Sequence, residues 1–113
     1  MMTHSIFDIS GRAMSSQLVR LNTIASNLAN AGSLSGTADG AYRALKPVFV
    51  TAYSGNTATV DVAQVVKTGT PERKHDPSHP LADAEGNVWT AAVDPNQELV
   101  EMIETSQIGR AHV

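Results

Sequence analysis

The sequence predicts an α+β fold in which a long N-terminal helix pairs with a C-terminal helix as a coiled coil. Apolar residues recur at heptad spacing near the N-terminus, β-branched and aromatic residues dominate the middle, and a helix-capping pattern begins at Asp94. A small β-hairpin and an extended segment lie between the helices. The predicted segments are 1–31 (N-terminal coiled-coil helix), 32–41 (Gly/Ser-rich loop), 42–93 (short strands and extended chain), 94–106 (start of the C-terminal helix, cut short) and 107–113 (a non-native tail).

The composition excludes several classes of protein. The chain has 113 residues, 42% of them hydrophobic and only 4% aromatic, so its apolar mass is mostly Ala, Val, Leu and Ile. That mixture favours long helices packed on neighbours over a compact core of large side chains. A net charge of −3 argues against nucleic acid as a partner. The absence of cysteine excludes disulfides and thiol catalysis, and no apolar run is long enough for a transmembrane helix.

The N-terminal helix carries a heptad seam, a line of apolar residues spaced by sevens, fours and threes: Phe7, Met14, Leu18, Leu21, Ala25 and Leu28. Ile6, Ala13 and Ile24 form a weaker second stripe beside it. A helix of about 29 residues is roughly 43 Å long and cannot bury two stripes by folding on itself. We therefore expect it to need partner helices.

The polar side of this helix is built of small neutral residues: Ser15, Ser16, Gln17, Asn22, Thr23, Ser26, Asn27 and Asn30. A helix that faces bulk water usually carries Glu and Lys there. Small polar groups can hydrogen-bond at a low desolvation cost. This face is therefore expected to be surrounded by other helices in an assembly.

The middle of the chain predicts a flexible loop followed by short strands. Gly32, Gly36 and Gly40 mark the loop, which lacks the Gly-Lys-Ser/Thr sequence of a phosphate-binding loop. Residues 42–53 and 57–66 predict two strands of a hairpin around a turn at 54–56, and Pro47 either places the first strand at an edge or breaks it. The alternation of the second strand slips after Val62. Residues 67–80 predict an extended surface segment, and 88–90 a short strand.

The C-terminal helix has a well-marked beginning. Asp94 suits the N-cap, Pro95 the first helical position, and Gln97 completes a capping box. The apolar residues Leu99, Met102 and Ile103 follow on one face. Gly109 is expected to interrupt the helix.

The sequence offers no arrangement of residues suited to catalysis. His75 and His79 have the spacing of helical metal ligands, but Pro77 and Pro80 prevent a helix, which predicts a polar surface loop instead. No Ser/His/Asp order or nucleophile elbow is present. We therefore expect no catalytic, cofactor-binding or metal site, and no enzymatic activity.

Two sequence runs point to a family. IFDISG (6–11) and RLNTIASNLANA (20–31), with SNLAN (26–30) as the core, resemble the N-terminal signature of bacterial flagellar rod and hook proteins. YRA (42–44) and PVF (47–49) follow at the interval usual in that family. HPLADAEGNV (79–88), VD (93–94) and EMI (101–103) resemble the proximal-rod members of the family.

The resemblance implies a structural subunit of the basal-body rod that polymerises helically through its terminal helices. It implies self-association, contacts with other rod proteins and with the membrane ring and export apparatus, and a periplasmic location reached by type III export without a cleaved signal peptide. The assembly interface is expected at Phe7, Met14, Leu18, Leu21, Ala25, Asn27, Leu28, Asn30, Leu99, Met102 and Ile103. Two alternatives remain: another rod or hook subunit, or a small helical adaptor that binds one partner helix.

The last seven residues depart from the family pattern, which continues the C-terminal helix. QIGRAHV (107–113) can be written in codons that spell a common sequencing-library adapter. We expect this tail to be adapter sequence translated as protein; the alternative is a divergent natural terminus. Resequencing the source locus distinguishes the two, since codons for a long helix after Ser106 indicate an artefact and a stop codon after Val113 indicates a native end.

Overall fold

The computed structural model of the chain describes residues 6–111 and contains two helices and five strands. This bears out the general α+β prediction. In chain order the elements are α1 (Ile6–Asn30), β1 (Leu34–Ser35), β2 (Ala44–Ser54), β3 (Thr57–Thr68), β4 (Glu72–His75), β5 (Asn87–Thr90) and α2 (Pro95–Ala111). The strands form two antiparallel groups, the hairpin β2–β3 and a three-stranded sheet in the order β1-β5-β4.

The hairpin β2–β3 is the longest β element, and its prediction is confirmed. Ser54 pairs with Thr57 across a two-residue turn. Gly55 has φ 60° there, which glycine adopts without a steric penalty. The register shifts between Val48, which faces Gln64, and Phe49, which faces Val62. Ala63 is therefore the extra residue of a β-bulge, and it accounts for the slip in the hydrophobic alternation of β3.

The segment predicted as a flexible glycine-rich loop is partly ordered. Leu34 and Ser35 pair with Thr90 and Trp89 of β5, so β5 has a partner on both sides. A Cβ atom at Gly36 would lie 2.9 Å from the carbonyl oxygen of Leu81. The glycine thus permits a close backbone approach, a role that composition alone does not distinguish from flexibility.

Ala92 connects the hairpin to the C-terminal helix. Its N–H donates to the Tyr42 carbonyl at 2.8 Å, and its own carbonyl accepts from the Ala44 N–H at 3.0 Å. Arg20 of α1 then approaches Glu104 of α2 at 3.5 Å. Since α2 begins beside the start of β2, which contacts the C-terminal part of α1, the two helices run antiparallel.

Helix α2 starts where the capping pattern predicts. The Asp94 carboxylate accepts hydrogen bonds from the N–H groups of Asn96 (3.0 Å) and Gln97 (3.4 Å), which confirms Asp94 as the N-cap. The predicted interruption at Gly109 is wrong, because the backbone stays helical to Ala111. A glycine inside a helix costs only about 1 kcal/mol relative to alanine.

The molecule is long and thin. Its extents are 64 × 26 × 15 Å and its radius of gyration is 18.8 Å, whereas a compact domain of this length would have a radius near 13 Å. The accessible surface is 7585 Å², against roughly 6,000 Å² for a compact monomer of the same mass. Within 6–111, neither helix is long and apolar enough to cross a membrane.

Removing the cap of α2 tests how far this helix depends on local interactions. Asp94→Ala is expected to lower the free energy of unfolding by about 1 kcal/mol, because two N–H groups of the first turn lose their acceptor. Thermal and urea unfolding monitored by circular dichroism measure this. The control is Asp39→Ala, which removes the same charge from an exposed loop. Equal effects of the two variants would contradict the capping role.

Candidate assembly surface

Helix α1 has two opposite faces, one packed against the rest of the chain and one exposed. The packed face contains the four residues of α1 that are buried: Ser16, Thr23, Ile24 and Asn27. Three of the four are polar. Polar groups hold a position inside a protein only when they are hydrogen-bonded, so their partners determine how α1 is placed.

Asn27 provides the most specific contact between α1 and β2. It is 1% exposed. Its Nδ2 donates to the Leu45 carbonyl at 3.0 Å, and its Oδ1 accepts from the Leu45 N–H at 2.8 Å. The Tyr42 hydroxyl donates to the same Oδ1 at 2.7 Å and also lies 2.8 Å from the Ser26 hydroxyl. A side-chain amide thus pairs with one residue of an edge strand as a neighbouring strand would.

A second group of contacts joins the N-terminal half of α1 to β3. The Ser16 hydroxyl donates to the Val60 carbonyl at 2.9 Å. The Arg12 guanidinium donates to the Thr59 hydroxyl at 3.3 Å and lies 3.6 Å from the Asp61 carboxylate. Because Asn27 contacts β2 and Ser16 contacts β3, α1 crosses the hairpin diagonally.

These contacts correct the expectation that other helices surround the polar face of α1 at Ser16 and Asn27; for the exposed Ser15 and Asn22 it stays a prediction. Ser16 and Asn27 are satisfied by the backbone of the chain's own hairpin, and the Thr23 hydroxyl donates to the Arg20 carbonyl within the helix at 2.8 Å. A row of small polar residues suits a strand edge, because that edge also presents unpaired N–H and C=O groups.

The heptad seam lies on the other face. At 100° per residue, Met14, Leu18 and Ala25 point away from Ser16 and Asn27. Phe7 is 86% exposed, Met14 65% and Leu18 58%, while Leu21 and Leu28 are half-buried. Coiled-coil pairing of α1 and α2 through this seam within one chain is therefore not confirmed.

The exposure pattern of α2 is similar, although the buried Oε2 atom of Glu98 has no hydrogen-bond partner within 6–111. Its buried residues are Glu98 and Thr105, while Leu99 is 48% and Ile103 59% exposed. Val100, which lies between them and was not predicted, is also exposed. Met102 is half-buried. Both helices thus expose apolar residues, while the faces toward the chain are mostly polar and include the buried Ile24 of α1.

We define the outer apolar surface as the exposed seam of α1 (Phe7, Met14, Leu18, Ala25) together with the outward face of α2 (Leu99, Val100, Ile103). Of the predicted interface residues, Leu21, Leu28 and Met102 border this surface. Asn30 is half-buried and donates to the Ser26 carbonyl at 2.9 Å. The prediction that Asn27 belongs to the assembly interface is corrected: this residue belongs to the contact between α1 and β2, not to the exposed surface.

In the segment that contains His75 and His79, both histidine side chains contact other residues of the chain. His75 Nδ1 lies 3.2 Å from the Asn87 side-chain oxygen, and His79 Nδ1 accepts from the Leu81 N–H at 3.0 Å. Among the described residues no group of His, Asp and Glu is arranged to hold a metal ion.

The sequence has clear relatives among known proteins. The model of the flagella basal body rod protein family matches residues 7–32. Flagellar basal-body rod protein FlgC of Yersinia enterocolitica is 45% identical over 112 residues, which cover 96% of this chain and 84% of the relative. FlgC of Salmonella typhimurium is 43% identical over the same coverage, and FlgC of Aquifex aeolicus is 35% identical over 85% of this chain and 73% of the relative.

The chain belongs to the FlgC family of flagellar basal-body rod proteins. It is a structural subunit of the rod in the flagellar basal body, where rod components assemble with one another. The 26 residues matched by the family model coincide with α1 and the turn after it. They therefore include both the polar contacts that orient α1 on the hairpin and the seam that faces outward.

The sequence predicted the seam and the signature, but not the partner of Asn27. One signal was available: Asn27 belongs to a row of small neutral polar residues on one side of the helix, which indicates groups that are hydrogen-bonded and not open to bulk water. Its partner could not be identified, because a backbone N–H and C=O leave no mark in the residue pattern.

Replacing Asn27 tests its role in the fold of this chain. Asn27→Ala is expected to lower the free energy of unfolding by about 2–3 kcal/mol, because the Leu45 N–H and C=O groups stay buried without partners. The matched control is Asn22→Ala on the exposed side of the same helix, which should change it by less than about 0.5 kcal/mol. Urea unfolding of both variants gives the values. Similar costs at the two positions would show that the Leu45 contact is not needed.

Proposed function

We propose that this chain polymerises helically with copies of itself, and that the outer apolar surface forms the subunit contacts as intermolecular coiled-coil pairs. The observation that carries the proposal is the exposure of the heptad seam on a folded chain. Side chains spaced to fit between helices are left in water by the monomer. Burial of each Leu- or Met-sized side chain would contribute about 1.5–3 kcal/mol.

The shape of the chain supports the same proposal. Its accessible surface of 7585 Å² exceeds that of a compact monomer by roughly 1,600 Å², about the total area buried in a standard protein–protein interface. The excess is a property of an elongated subunit that is completed by neighbours. A closed complex with one partner helix, as an adaptor would form, would cover the seam of α1 and leave the outward face of α2 exposed.

The wider assembly follows from this role. Contacts with further rod components and with the membrane ring and export apparatus, a periplasmic position, and export without a cleaved signal peptide are proposed from the family resemblance. We propose no enzymatic role for the chain. The absence of cysteine is compatible with a subunit that crosses membranes unfolded.

The outer apolar surface can be tested without disturbing the fold. Leu18→Asp places a carboxylate at the centre of the exposed seam and should reduce polymer formation at least tenfold, because a charge would have to be buried in the contact. Monomer unfolding should hardly change, since Leu18 is 58% exposed. Sedimentation and negative-stain microscopy measure the polymer, and motility of a rod-deficient strain measures function.

The control is Ala38→Asp, which adds the same charge to an exposed loop and should leave polymerisation unchanged. If Leu18→Asp subunits polymerise and support swimming like the parent protein, the seam is not the contact. If the parent protein forms only a closed complex of fixed size, the adaptor role is the correct one.

A further inference from the structure

The hairpin β2–β3 has two outer edges, and α1 covers only half of each. On β2 the Asn27 side chain is hydrogen-bonded to both the N–H and the C=O of Leu45, near the base of the hairpin. On β3 the Ser16 hydroxyl takes the Val60 carbonyl, nearer the tip. The diagonal path of α1 therefore leaves two stretches uncovered, the distal β2 edge (48–53) and the proximal β3 edge (63–67), on opposite sides of the hairpin.

The direction of the backbone groups on the distal β2 edge follows from the pairing register. The Val60 carbonyl points outward to Ser16, so Thr51, which faces Val60, also directs its N–H and C=O outward. Phe49 and Tyr53 lie two residues on either side and do the same. Within 6–111, no backbone hydrogen bond of a turn, loop or cap involves these three residues.

The proximal β3 edge has the same property on the other side. Leu45 directs its backbone groups outward to Asn27, so Lys67, which faces Leu45, directs its own outward from β3. Val65, which faces Pro47, does so as well. Pro47 lacks an N–H group, but its backbone faces outward, so no hydrogen bond between β2 and β3 is lost there. Each open edge thus offers a row of donors and acceptors to another strand.

Charge distinguishes these edges from β4, one of the two edge strands of the three-stranded sheet; the proximal β3 edge carries a single charge, Lys67. Residues 47–60 contain no Asp, Glu, Lys, Arg or His, and the next charge, Asp61, is held by Arg12. All four residues of β4, in contrast, are charged or titratable: Glu72, Arg73, Lys74 and His75. Charged edge strands resist pairing with other chains, and uncharged, exposed ones favour it. A two-stranded hairpin alone is also only marginally stable in water.

We propose that the distal β2 edge of one subunit pairs with the proximal β3 edge of a second copy, antiparallel and with Thr51 facing Val65. The hairpins of successive copies then form one continuous antiparallel sheet. The two edges belong to opposite sides of the hairpin, so the contact joins different surfaces and repeats from copy to copy. It rests on the proposed function in one respect, that successive subunits point the same way.

The pairing fixes a displacement between neighbours. Within one hairpin Thr51 faces Val60, and across the proposed contact it faces Val65 of the next copy. Val60 and Val65 are five residues apart, and one residue between them lies in the bulge. Neighbouring hairpins are therefore shifted along the strand direction by the length of about four to five strand residues, or about 13–17 Å. A staggered repeat of this kind produces a helical array, not a flat ring.

Disulfide trapping tests the contact directly, because the chain contains no cysteine. The double variant Thr51→Cys/Val65→Cys should form a ladder of trimers and larger species on a non-reducing gel after mild oxidation. The two sites cannot join within one chain: Val65 faces Pro47, about 13 Å along β2 from Thr51, whereas a disulfide needs Cα atoms within about 7 Å. A mixture of the two single variants should give one crosslinked dimer.

Three controls make the result specific. Each single variant alone should remain mostly monomeric, and Thr51→Cys/Lys74→Cys, which pairs the open edge with the charged one, should give no ladder. A double variant that stops at the dimer or stays monomeric overturns the proposal. A strong dimer of Thr51→Cys alone overturns it in favour of a closed pairing of two β2 edges. Sedimentation of the parent protein separates this from the proposed function: polymers without a ladder overturn edge pairing only, and a ladder without polymers overturns helical polymerisation only.

Discussion

The position of α1 depends on the hydrogen bonds between Asn27 and Leu45. A helix cannot join a sheet through its own backbone, because its N–H and C=O groups are used along its axis. A side-chain amide has the donor and acceptor of a peptide group, and Asn27 offers both to one residue of β2. The contact therefore fixes the position of the helix along the strand and the side from which it approaches.

The other contacts follow from that point. Ser16 lies eleven residues before Asn27, about 16 Å along the helix, and Val60 faces Thr51, six residues beyond Leu45 or about 20 Å along β2. The Ser16 and Asn27 side chains span the difference between these two lengths. With both ends bonded, the rotation of α1 is determined, and its heptad seam must face away from the hairpin. The outer apolar surface is thus a consequence of polar contacts on the opposite side.

Features of the fold that depend on local chemistry could be predicted from the sequence, and those that depend on distant backbone groups could not. The Asp94 cap, the turn at Gly55 and the slip after Val62 each result from residues next to one another. The direction of the seam was open to misreading, because apolar spacing shows that a stripe will be buried and not whether its own chain buries it. β1 was missed because two residues, Leu34 and Ser35, owe their strand geometry to β5.

The separation of polar and apolar contacts has a physical advantage for a subunit that must assemble. Hydrogen bonds such as those of Asn27 are directional, so they can orient α1 before any neighbour is present. Apolar contacts are not directional, and their strength grows with the area covered. If the outer apolar surface were also the core of the monomer, assembly would have to unpack that core. Because the polar contacts of Asn27 and Ser16 act together with the buried Ile24 and Val88, the outer apolar side chains remain exposed at fixed positions. In the proposed assembly, the free energy of burying them would be released only when subunits meet.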